Sequence, residues 1–324
     1  MFDLAGCYSV MMDASSSLAS GGGDGDGEET VCYLCLDVGA EPLRRDCACR
    51  GTDAGFVHLS CLANYAETMC IQVTRGMNKF VKPWQVCPRC HQCYQNELAI
   101  DIATKFVSFV RGKYPDDTKR QVESLDVKLG AFDSMFDMLQ PRQKRELGAT
   151  ANVMLSLIDR MKGEVPSLSR RYSQMKAFAY YAHGRIAVNE GTKESARRAV
   201  THFEKDLKVC EEIGDGEGIA MAQANIAIAK SKYEGGSNNE EELLMTSREL
   251  YEMRVAELGE ENEFTINSGR NYAILLLQAN REGEARELLS KLLITSKQVL
   301  GPHHNKTKEV EKEFKKVVDV ANHD

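Results

Sequence analysis

No stretch of the 324-residue chain approaches the roughly 18–20 uninterrupted apolar residues that cross a bilayer, so no membrane-spanning helix is expected. The start, "MFDLAGCYSVMMDASSSLASGGGDGDGEET", lacks the basic segment and apolar core of a secretory leader. A cytoplasmic or nuclear protein is the expectation. Lys and Arg are missing from the first 31 residues, which hold six acids; the formal charge is −7, so the remainder is near neutral. A nucleic-acid surface needs clustered cations. The short basic runs "PRQKR" (141–145) and "SRR" (169–171) read instead as solvated helix faces. Neither a nucleic acid nor a membrane is therefore an expected partner. Aromatics are scarce, and Trp84 is the single tryptophan. Proline is absent from 167 to 301.

Cysteine, by contrast, is crowded: nine of eleven lie between 32 and 93. A disulfide framework suits a short secreted chain, whereas crowding in a reducing compartment points to metal. The spacing is Cys32-x2-Cys35-x11-Cys47-x1-Cys49-x8-His58-x2-Cys61-x25-Cys87-x2-Cys90. Structural Zn²⁺ takes four N/S ligands, so eight ligands in four close pairs imply two ions. A Cys-x2-Cys turn aims two thiolates at one ion, and Cys47 and Cys49 share a face of an extended segment. Spacing alone allows sequential or interleaved pairing. Cys93 and His91 crowd the last pair; Cys70 and Cys210 read as small buried apolar residues.

The single residue between the third and fourth cysteines, together with "CRGTDAGFVHLSCL" (49–62), resembles the RING-CH (RING-variant) zinc finger. The resemblance implies a cross-brace: Cys32, Cys35, His58 and Cys61 hold one zinc ion, and Cys47, Cys49, Cys87 and Cys90 the other. It also implies a surface for a ubiquitin-conjugating enzyme, carried here by Leu34, Tyr65 and Pro88. Tyr65 stands where the family more often has Trp, and His91 where activating fingers often carry Arg or Lys. Arg50, Gly51 and Gly55 are expected to shape the backbone around the metal, and Phe56 and Val57 to form a mini-core.

Beyond residue 96 the pattern becomes helical. "ELAIDIATKFVSFVRGKYPDD" sets Leu98, Ile102, Phe106 and Val110 on one face, and Pro115 ends the run. Further runs are expected over roughly 117–139 and 142–162. The sequence then echoes itself: "EEIGDGEG", "AELGEENE" and "QVLGPHHN" set glycines at 214, 259 and 301, intervals of 45 and 42. Between them, Ala187 with Ala199 and Ala273 with Ala285 are spaced to let antiparallel helices approach, with Ala227 in the equivalent role. Leu207, Val209, Leu288, Leu292 and Val299 are expected in the seams. A single helix pair cannot bury its apolar face alone, which is the physical reason for repetition. By period alone a HEAT-like array fits as well. The run from Leu258 to Thr307, with its Leu-Gly hinge, resembles the tetratricopeptide repeats of kinesin light chains. Val310, Phe314 and Val317 mark a capping helix.

The expected fold is thus mostly α: a disordered acidic, Gly-rich tail (1–30), a RING-CH-type two-zinc module (31–95), a helical connector (96–166) and tetratricopeptide-like repeats with a C-terminal cap helix (167–324). Two functions fit. One is a ubiquitin-protein ligase that forms no covalent intermediate, recruiting a conjugating enzyme through the finger and a protein substrate through the repeats. The other is a non-enzymatic adaptor with a structural zinc module.

Overall fold

Twelve α-helices carry the fold among the described residues, with two isolated antiparallel bridges, Arg44 to Val57 and Val86 to Cys93. The computed structural model describes residues 30–47, 49, 55–72, 76–164, 169–234, 240–302 and 304–321. The acidic tail, Arg50, Gly51 and the Gly235–Gly236 insertion lie outside the described residues. The described residues up to Ile186 form one compact unit and those from Ala187 a second.

In the first unit a loop-rich segment leads into α1 (Leu59–Ile71) and the short α2 (Met77–Val81), which runs into a 3-10 turn over Lys82–Trp84. Then come α3 (Asn96–Lys113), α4 (Thr118–Ser134) and α5 (Pro141–Glu164). Most of α6 (Arg170–Asn189) belongs here as well. The i, i+4 stripe Leu98, Ile102, Phe106 and Val110 faces inward on α3 and is fully buried or nearly so. It meets Leu62, Ala66, Phe80 and Trp84 in one core. Trp84 stacks on Phe106 at 4.9 Å and donates its indole N–H to the Cys70 sulfur at 3.0 Å. Cys70 donates in turn to the Phe80 carbonyl at 2.9 Å. Arg44 reaches Asp101 of α3 at 3.0 Å. The cysteine-rich segment and α3 therefore share a core and an ion pair.

Pro115 follows the last turn of α3, and the Asp117 side chain accepts the Arg120 N–H to start α4. A second core joins Val122, Leu129 and Phe132 of α4 with Leu147, Met154 and Ile158 of α5 and Met175 and Ala179 of α6. Across it, Arg171 clamps the buried Glu123 through both guanidinium edges, one at 2.6 Å. Arg185 pairs with Asp133 at 2.5 Å.

The second unit is a succession of helices folded back on one another: α7 (Lys193–Ile213), α8 (Gly216–Glu234), α9 (Glu240–Leu258), α10 (Glu263–Gln278), α11 (Glu282–Val299) and α12 (Asn305–Ala321). Each packs on the next, and α10 also touches α12, as stacked helix pairs do. Gly214 (φ +64°), Gly259 (φ +84°) and Gly301 (φ +86°) all adopt positive φ just after a helix, where a residue with a Cβ is strained. Thr192 and Ser195 form a reciprocal capping box at the start of α7. Ala187, Ala199, Ala273 and Ala285 are buried, Ala227 half-buried, and Val209 and Leu292 fill seams. Ile266, Leu289 and Leu292 pack with Val310 and Val317 of α12, whose other face is rich in Lys. The second unit is an α-solenoid of tetratricopeptide-like helix pairs, with α12 packed on α11.

Candidate metal centre

Two Cys-x2-Cys turns with the same backbone geometry anchor the site. In the first, the Leu36 N–H donates to the Cys32 carbonyl at 2.8 Å; in the second, the His91 N–H donates to Cys87 at 2.9 Å. The residue after each turn takes positive φ, Leu36 at +60° and His91 at +59°. This reversal points both sulfurs of each turn the same way. Between the turns, the Arg44–Val57 bridge leads to His58 at the cap of α1, and the first turn of α1 supplies Cys61.

Cys32, Cys35, His58 and Cys61 form one group and Cys47, Cys49, Cys87 and Cys90 another; the potential ligand atoms of each lie within 4.8 Å of one another. This is the interleaved grouping. Cys93 is buried at the Val86 bridge and His91 is exposed; neither belongs to a group. All ten described cysteines are free thiols.

His58 Nδ1 lies 3.4 Å from the Cys35 sulfur and 3.7 Å from that of Cys61, while its Nε2 donates to the Val38 carbonyl at 2.7 Å. That bond fixes the tautomer that leaves the Nδ1 lone pair facing the sulfurs. In the other group the Cys49 and Cys87 sulfurs are 3.8 Å apart. A tetrahedral ion with Zn–S bonds of about 2.3 Å separates its sulfurs by about 3.8 Å. Each group could thus hold a metal ion, and the donor set suits zinc.

Two glycines make room for this packing. A Cβ on Gly39 (φ +59°) would stand 2.9 Å from the His58 ring, and one on Gly55 (φ +86°) 2.7 Å from the Cys49 Cβ. The sequence marks Gly55, but not Gly39. Burial and crowding oppose ionisation at several of these thiols. Burial raises the Cys61 thiol to about 11 and the Cys49 thiol to about 12. A hydrogen bond with Cys87 pushes Cys47 up and draws Cys87 down to about 4. At Cys32 burial opposes ionisation, but the backbone N–H groups of His58, Cys35 and Leu34 outweigh it and bring the thiol to about 7. A cation bound by these groups would offset the crowding and favour the thiolates.

Beside the two groups runs a surface groove of about 490 Å³ lined by Val31, Tyr33, Leu34, Leu36, Tyr65, Pro88 and Arg89. Leu34, Tyr65 and Pro88 come together here, each half-buried, and Leu36 is 76% exposed. Tyr33 joins groove to metal group: burial and the Cys87, Cys47 and Cys49 thiols around its hydroxyl push its pKa well up, and the Arg89 guanidinium sits 5.8 Å over its ring.

No family model matches the chain, and no curated protein matches it. Among solved structures it is similar to BtubC (BKLC) from P. vanneervenii, with 16% identity over 70% of this chain and 84% of that one and a TM-score of 0.48. It is also similar to a glutamine-to-methionine variant of nearly identical TPR-like repeats from Podosopora anserina (13% identity, 74% of this chain and 95% of that one, TM-score 0.41). A third is the apo form of RapI, with 8% identity, 81% and 83% coverage and a TM-score of 0.41. The stacked pairs, glycine caps and buried seams are what make the second unit tetratricopeptide-like, and stacks of this kind present extended surfaces to protein partners. Among the described residues no helix is long and apolar enough to cross a membrane.

Proposed function

We propose that each Cys/His group holds one structural zinc ion, that residues 31–95 form a RING-CH-type finger, and that the chain is a cytoplasmic or nuclear ubiquitin-protein ligase. On this reading the groove recruits a ubiquitin-conjugating enzyme and the repeats over 167–324 hold a protein substrate, with 96–166 connecting them. The observation that carries the reading is the convergence of Leu34, Tyr65 and Pro88 on one groove beside the metal groups. Such a module forms no covalent intermediate; it accelerates transfer by holding the charged enzyme in a reactive pose. Zinc, when bound, supplies the cross-links that keep so small a core folded.

The test is discharge of a ubiquitin-charged conjugating enzyme onto free lysine, run across a panel of such enzymes. Wild type should accelerate discharge by at least one of them. Leu34→Ala removes an apolar anchor worth roughly 1.5–3 kcal/mol when fully buried, so at least a tenfold loss is expected with zinc content unchanged. Failure of wild type with every enzyme sinks the ligase reading. The second reading, an adaptor in which the zinc module caps the helical unit, is favoured by the core that Leu62, Phe80 and Trp84 share with Phe106 of α3.

A further inference from the structure

We propose that Arg89 makes the groove selective for an acidic protein segment, one that seats a large apolar side chain among Leu34, Tyr65 and Pro88 and sets a carboxylate beside it. The proposal rests on the reading that the groove docks protein, and not on ligase activity. Arg89 is exposed at the groove, its guanidinium held over the Tyr33 ring at 5.8 Å. A guanidinium drawn toward an aromatic face is partly oriented before the partner arrives, and its N–H fork can take a carboxylate. The principal ion pairs of this unit occupy Arg44, Arg120, Arg171 and Arg185. Among the described residues no acid pairs with Arg89 and none lines the groove. The groove therefore carries a positive charge beside an apolar floor. An anionic anchor is attracted to it, and a cationic one meets an uncompensated charge.

The test uses the full chain with its metal content measured and, as probe, a phage library of random twelve-residue peptides. Peptides retained by wild type but lost with Leu36→Asn, an uncharged change at an exposed groove residue, define groove binders. They should be enriched in an aromatic or large aliphatic residue with Asp or Glu within three positions. A synthetic copy should bind Arg89→Ala about two- to fivefold more weakly, the range of an exposed ion pair. Selection on Arg89→Glu should turn the acidic preference into one for Lys or Arg. Groove binders without acidic enrichment, equal binding by Arg89→Glu, or no groove-dependent peptide at all would each overturn the proposal. An inert wild type in the discharge assay would leave these outcomes untouched and sink only the ligase reading.

Discussion

Single residues at this site answer to contacts far away in sequence. His58 is held by the Val38 carbonyl and Gly39 is pressed against its ring; neither relation can be seen in a spacing pattern. In the second unit Asp206, a residue on α7, is 3% exposed. Burial raises its carboxyl pKa to about 7; the Cys210 thiol, which donates to it at 3.5 Å, offsets only part of that, and Asp215 adds to the rise. The folded state therefore binds a proton more tightly than the unfolded chain. Between about pH 4, the ordinary Asp value, and pH 7, stability should fall as pH rises, then level off. Asp206→Asn should flatten that slope and stabilise the protein at pH 8 by about 1–4 kcal/mol, read from urea unfolding at pH 5.5 and 8. An unchanged slope would mean that the carboxyl is not buried uncharged.

At the scale of elements, the helices were legible because their apolar stripes and stops were local. Leu98, Ile102, Phe106 and Val110 face the core, and Pro115 follows the last turn. The glycines at 214, 259 and 301 were legible as punctuation, and each proves to be a left-handed residue after a helix. Replacing Gly259 by Val puts a β-branched side chain at φ +84°, though open space surrounds its Cβ. The expected penalty is therefore backbone strain of about 1–3 kcal/mol, appearing as a lower urea midpoint with helical content retained. A midpoint equal to wild type would remove the cap from the description of the repeat. The two left-handed residues after the Cys-x2-Cys turns were not legible. Leu36 and His91 lack the glycine that normally advertises positive φ, and only the Cys32 and Cys87 carbonyls reveal the turn.

For the whole molecule, composition shows where cysteines stop but not where packing stops. The change of character at residue 96 is real in sequence, yet Trp84 stacks on Phe106 and Arg44 pairs with Asp101 across it. Metal loss should for that reason loosen α3 along with the cysteine-rich segment. The second unit, from Ala187 on, has a core of its own. Spacing was enough to propose four pairs of ligands; which pairs come together depends on the backbone bringing Cys87 beside Cys47 and Cys49. The central claim is that both groups hold zinc at once, and native mass spectrometry of the purified chain tests it most directly. Two zinc ions per chain are expected, with one remaining in His58→Ala, in which the first group keeps only three ligands. Wild type carrying one ion, or none, would contradict the claim.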